Sequence, residues 1–323
     1  MRHILLSLAL VLPALSLSGA AMAETIYVSN EKGSSITVID GATLKVTATW
    51  PVGRRARGIQ ISRDGKFLYL CASDDNAVQV IDTATGKVIA DLPSGEDPEQ
   101  IGLSPDDKTM FATNERDNIL TAIDIATKSV IFQVPVGEEP EGVAVSPDGK
   151  MAVSTSETNS ALDWTDIAQR KVIGHTPVGD RPRHVEFTAD GKFLWASSEI
   201  GGLVQVIDTA TRAVTKTIAF DPPGVFKDKV MPVGIRFTPD QKTAIVALGR
   251  ADTIAIVDVA SAKVVGYVPV GRRVWHVGIS KDGSRAYSAN GLSDNVSVVD
   301  IATAKVIATV PAGRAPWGVA IGR

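Results

Sequence analysis

An aspartate that closes an apolar run recurs through this chain at Asp40, Asp82, Asp124, Asp166, Asp208, Asp258 and Asp300, at spacings of 42 residues apart from one of 50. A second marker keeps step with it: Ser62-Arg63-Asp64-Gly65-Lys66, Ser104-Pro105-Asp106-Asp107-Lys108, Ser146-Pro147-Asp148-Gly149-Lys150, Thr188-Ala189-Asp190-Gly191-Lys192, Thr238-Pro239-Asp240-Gln241-Lys242 and Ser280-Lys281-Asp282-Gly283-Ser284. A fixed period of this length restricts the chain to architectures in which each unit packs on its neighbours. Residues 99–136, taken as one unit, hold four short runs of β-type composition, at 100–103, 109–113, 119–123 and 130–136, each bounded by turn residues. Asp-Gly supplies a tight hairpin between the first two, because Gly accepts positive φ and the Asp side chain bonds its local backbone. Seven such units predict an all-β fold, a seven-bladed β-propeller of four-stranded antiparallel blades. A β-helix needs shorter coils, and a helical solenoid needs a 3.6 period that this sequence lacks.

The innermost strand of each blade is read after the Val-Gly loop, with runs beginning near Gly58, Gln100, Gly142, His184, Gly234, His276 and Gly318. The first strand after residue 24, Ile26-Tyr27-Val28-Ser29, corresponds to the second strand of a blade. Residues 318–321 are therefore expected to complete the first blade, so that pairing of the N- and C-terminal strands closes the ring and hides both edges.

Residues 1–23 combine a basic start at Arg2 and His3, an apolar run over 4–17 and the small-residue site Ala21-Met22-Ala23. That pattern reads as a secretory signal peptide, removed to leave residues 24–323 as a single propeller domain in the periplasm. No later apolar run is long enough for a membrane span. Removing this leader takes away one arginine and no acid, which moves the formal net charge from −3 to −4 and argues against nucleic acid as a partner. The single cysteine, Cys71, lies in the apolar run Phe67-Leu68-Tyr69-Leu70-Cys71-Ala72 and reads as a buried, inert thiol.

The segments Tyr27-Val28-Ser29-Asn30, Val78-Gln79-Val80-Ile81-Asp82-Thr83 and the run from Val136 through Gly149 resemble the YVTN-family β-propeller repeat, over essentially all of residues 25–323. In overall layout the chain is also similar to the β-propeller proteins associated with PQQ-dependent alcohol catabolism. That resemblance implies a periplasmic accessory role in handling the quinone cofactor, an alcohol or its oxidation product. It brings no catalytic residues to carry over.

Strand direction alternates within a blade, so the loops leading into the inner strands share one face with the loops between second and third strands. Here called the upper face, it varies from unit to unit, whereas the Asp-Gly hairpins and Asp-x-Ala-Thr turns of the lower face are nearly monotonous and suit a structural role. Arg54, Arg55 and Arg57, then Arg181 and Arg183, then Arg272 and Arg273, and finally Arg314 fall just before an inner strand on the upper face. Trp275 and Trp317 take the slot of Arg57 and Arg183. Guanidinium forks beside flat apolar surfaces suit a small planar carboxylated anion, and PQQ held non-covalently is one such ligand. The competing reading is a solvated rim of Arg–Glu pairs between blades.

His184 and His276 share one slot in two blades, which leaves a metal site, a haem ligand pair, an anion contact or ordinary channel lining open. Glu99 and Glu141 are the carboxylates placed to hold a metal, with Arg57 and Arg183 in equivalent slots opposing it. An insertion of eight residues, within 220–231, adds Phe226 and Met231 to the upper face as a lid or docking loop.

The function expected from the sequence is non-catalytic binding of a small anion or a periplasmic redox or transport protein. The alternatives are a metal-dependent hydrolase of lactonase type and a docking subunit of a larger complex.

Overall fold

The structure, a computed structural model, describes residues 24–322. The leader assigned to residues 1–23 lies outside the described residues. Twenty-eight strands form seven four-stranded antiparallel sheets arranged as a seven-bladed propeller, and no helix among the described residues is long and apolar enough to cross a membrane.

The repeat markers become hairpin wiring. In the first lower-face hairpin the Ser62 hydroxyl donates to Asp64 Oδ1 at 2.7 Å and accepts from the Phe67 amide at 3.0 Å, while the Lys66 amide donates to the same Asp64 oxygen at 3.0 Å. The residue after that aspartate takes positive φ, as Gly65 does at 74°, and Asp107 and Gln241 hold the same conformation where glycine is absent. The period-setting aspartates cap the other lower-face turn: Asp40 Oδ1 accepts from the amide and hydroxyl of Thr43 at 2.7 and 2.8 Å. Asp82 with Thr85 and Asp300 with Thr303 repeat the arrangement.

The closure anticipated from the sequence is present. Strand β1 (Thr25–Asn30) pairs on one side with β2 (Ser35–Asp40) and on the other with β28 (Pro316–Ile321), in the register Ile26↔Ile321, Tyr27↔Ala320 and Val28↔Val319. Apolar side chains from facing sheets fill the space between blades, as where Tyr27, Ile36 and Val38 meet Leu68, Leu70 and Ile81. Cys71 is fully buried in one of these layers.

Candidate functional site

The inner strands of the second to seventh blades are β4 (Ala56–Ile61), β8 (Pro98–Leu103), β12 (Val143–Val145), β16 (Pro182–Phe187), β20 (Ile235–Phe237) and β24 (Val274–Ile279), and β28 serves the first. Read in register down the channel, they stack three layers of side chains.

The upper layer contains Arg57, Glu99, Glu141, Arg183, Trp275 and Trp317. Its arginines are already engaged by carboxylates. Arg57 reaches Glu31 at 3.0 Å and also pairs with Glu99. The buried Arg183 meets Glu141 at 2.5 Å, pairs with Glu157, and lies 3.5 Å from Glu199. Arg273 donates to Glu199 at 2.7 Å and stacks 3.8 Å over the Trp275 ring, and the Arg57 guanidinium lies 5.8 Å from Trp317. Arg181 donates to Glu157 at 2.6 Å, whereas Arg272 and Arg314 stand exposed on the rim. An anionic ligand at this mouth competes with Glu31, Glu157 and Glu199 for the same guanidiniums.

Beside this layer an open cleft of ≈ 620 Å³ is bounded by Arg55, Asp97, Glu115, Glu138 and Glu139. The carboxylates of Asp97, Glu99 and Glu115 approach within 4.8 Å of one another. Arg55 pairs with Asp97 and sits 3.1 Å from Glu99, so a guanidinium already supplies the positive charge that a cation would bring. Burial outweighs Arg57 and Arg55 and pushes the Glu99 carboxyl up to about 8. Glu141, also buried, is raised well above the carboxylate range despite Arg183.

The insertion is anchored at a few points and exposed between them. Its Phe220, Pro222 and Val230 are buried, the Asp221 amide donates to the Tyr267 hydroxyl at 2.7 Å, and Met231 Sδ contacts Arg273 at 3.8 Å. Between these anchors the segment faces outward, with Phe226 79% exposed.

The middle layer closes the channel. Gln100, His184 and His276 alternate there with Gly58, Gly142, Gly234 and Gly318. A Cβ on Gly142 would meet the Arg183 carbonyl oxygen at 2.8 Å, so the glycines let neighbouring inner strands approach while the three large side chains reach across. Gln100 Nε2 donates to the Arg183 carbonyl at 3.0 Å, which turns its Oε1 toward His184 Nδ1, also at 3.0 Å. An amide oxygen only accepts, so Nδ1 carries the proton and Nε2 carries the lone pair. His184 meets His276 edge-on at 5.3 Å, and His276 lies tilted by 42° against Trp317 with ring centroids 4.2 Å apart. Burial holds His184 below the ordinary histidine range and His276 well below it, so both rings are neutral.

The lower layer opens onto the hairpin face that the sequence reading assigned to structure. Arg236 Nη1 lies 3.0 Å from His184 Nε2 and pairs with Glu186, whose Oε2 is 3.3 Å from the same nitrogen. These groups, with Gln60, Gln100 and Thr188, line a cleft of ≈ 350 Å³. The structure thus separates the predicted residues: His184 belongs to this cleft, while the arginines and tryptophans lie above the plug. Gln60, Gln100, Glu186 and Arg236 were missed. The signal for Gln60, Glu186 and Arg236 is the position two residues past each middle-layer slot, small in four blades and polar in three, while Gln100 occupies such a slot itself.

A family model described as "Lactonase, 7-bladed beta-propeller" matches residues 163–309, a little under half of the chain and including His184, Glu186 and Arg236. No curated protein matches the sequence. Among solved structures, hydrazine synthase of Kuenenia stuttgartiensis is 25% identical with a TM-score of 0.78, over 85% of this chain and 92% of that one. A functionally unknown protein from Desulfotomaculum acetoxidans is 17% identical with a TM-score of 0.79, over 93% and 99%. The dihydro-heme d1 dehydrogenase NirN in complex with DHE is 15% identical with a TM-score of 0.67, over 91% and 74%. The chain is a β-propeller of seven blades. The expectation of a non-catalytic protein is corrected by the family match, because the matching family is named for an enzyme activity. Absence of a linear motif does not exclude catalysis in such a fold, because catalytic groups can come from separate strands.

Proposed function

We propose that this chain is a lactone-opening hydrolase whose site is the lower cleft of the propeller. One observation carries the reading: His184, fixed by Gln100 with its proton on Nδ1, turns a neutral Nε2 toward the cleft 3.0 Å from Arg236. Hydrolysis needs a base for water and a donor where negative charge develops. In the proposed reaction a lactone carbonyl draws the Arg236 guanidinium off His184. Nε2 then takes a proton from the attacking water as the new C–O bond forms. Arg236 donates to the oxyanion, with Glu186 beside the imidazolium as counter-charge. Collapse breaks the ring C–O bond, and the imidazolium returns its proton to the leaving oxygen, giving a hydroxy acid.

The lactonase family match supports the reaction class. The basic start and apolar run at residues 2–17 support export to the periplasm. Likeness to propellers of PQQ-dependent alcohol catabolism supports a place beside alcohol oxidation, since an alcohol oxidised to the acid level that retains a second hydroxyl closes to a lactone with loss of water. PQQ itself is the proposed anion for the upper mouth.

The test is acid release from five- and six-membered lactones in a pH-stat, comparing the wild type with H184A and H184Q at matched thermal stability. Hydrolysis that falls at least a hundredfold in both variants supports the reading. A wild type that opens no lactone, or folded variants that retain full activity, overturns it. Calorimetric titration with PQQ, repeated on R272A/R314A, tests the upper mouth, and no heat at millimolar concentration overturns that part.

A further inference from the structure

The lower funnel has two unlike halves that meet at Gln60 and Arg236. One is the polar cleft that holds His184 and Glu186. The other, a cleft of ≈ 430 Å³, shares Gln60 and Arg236 but is walled by Ile59, Ile61, Phe237, Ile279, Val319 and Ile321. The asymmetry follows from the inner strands. At the lower-layer position the fifth blade gives the polar half the carboxylate of Glu186, whereas the first and seventh blades offer only Ala320 and Gly278 and leave the aliphatic side chains beside them as the wall. Arg236, 30% exposed along its side chain, forms the ridge between the halves.

We propose that the substrate is an amphiphilic lactone, one whose ring carries an alkyl or acyl arm of several carbons. The ring sits against His184 and Arg236, and the arm crosses the ridge to lie along Ile59, Ile279 and Ile321. This rests on the reading of the lower cleft as a lactone-opening site. The occupant follows from continuity: the apolar half adjoins the reacting groups, and each end of such a molecule meets a surface of its own kind. A free sugar lactone leaves the apolar half wetted, and a plain hydrocarbon offers Arg236 no carbonyl to meet.

The experiment compares γ-butyrolactone with γ-lactones bearing alkyl arms of increasing length, in two assays. Steady-state hydrolysis is expected to show KM falling about two- to fourfold per added methylene until the arm fills the half-funnel, with kcat little changed. Titration of the inactive H184A protein with the same series reads affinity apart from turnover and is expected to follow the same order. The I279T/I321T variant replaces two partly exposed apolar walls. It is expected to act on γ-butyrolactone within about twofold of wild type while losing most of the chain-length dependence, and its melting curve establishes that it is folded.

Hydrolysis lost in H184A but indifferent to arm length in both assays overturns this inference and leaves the hydrolase reading standing. Absence of hydrolysis, with affinity still rising with arm length, overturns the hydrolase reading and supports the two-sided funnel. Affinity independent of arm length in the folded protein overturns the inference outright.

Discussion

The imidazole of His184 is held between two partners of opposite demand: Gln100 Oε1, 3.0 Å from Nδ1, accepts its proton, and Arg236 Nη1, 3.0 Å from Nε2, donates toward its lone pair. Gln100 fixes the tautomer; burial first and Arg236 second lower the pKa of the ring, against the opposing pull of Glu186. The rate of lactone opening is therefore expected to hold its plateau as pH falls through the ordinary histidine value of about 6.5, dropping only at lower pH. In Q100E a carboxylate faces Nδ1 and stabilises the imidazolium, so the acid limb moves upward by about one unit or more. Profiles of kcat/KM against pH for the two proteins measure both limbs, and coincident profiles count against His184 as the base.

Arg236 is the donor that faces the reacting carbonyl. The R236Q protein is expected to lose about 10²- to 10³-fold in kcat with a smaller change in KM, because the missing bond is made to charge that develops after binding. Steady-state kinetics on one lactone decide this, and a pure KM effect would reassign Arg236 to substrate binding.

Glu99 ties stability to pH. Its carboxyl is pushed up to about 8 in the folded chain, against about 4.3 for an unperturbed glutamate. Between those values the folded protein keeps a proton that the unfolded chain has released, so this contribution to stability is full below about pH 4.3 and declines as pH rises toward 8. The melting temperature of the wild type is expected to carry a downward slope between pH 5 and 8 that E99Q flattens. Scanning calorimetry at several pH values reads the difference, and parallel slopes refute the assignment.

Arg183 serves three buried acids, Glu141, Glu157 and Glu199. The R183M change leaves them without it and is expected to destabilise the protein by about 3–5 kcal/mol in denaturant unfolding. Adding E141Q removes one of those acids and is expected to restore part of that loss, whereas simple additivity of the two changes would show that they are not coupled.

Fold and site were unequally legible in the sequence. Blade number and closure follow from turn residues that act locally: Ser62, Asp64 and Phe67 wire their own hairpin, and Asp40 caps its own turn. The arginine slots could be read for the same reason, as neighbours of a repeated strand. Their partners could not, since Glu199 reaches Arg273 across 74 residues and nothing local pairs them. The chemistry of the lower cleft was hidden by its setting. Gln100, His184, Glu186 and Arg236 come from three blades, and the monotony of the surrounding hairpins made that face look purely structural. Setting the seven inner strands in register exposes the alternation of glycine with Gln100, His184 and His276, the one linear trace of a plugged channel.

The pairing of Ile26 with Ile321 and Val28 with Val319 has a consequence for the order of assembly. Strand β1 acquires its inner neighbour only when β28 has been made. Six blades are contiguous stretches of chain, whereas the first waits with one edge bare. A chain halted before β28 is thus an open arc with two sticky ends, free to meet another arc, and β28 acts as the latch that turns a polymerisable ribbon into a finite ring.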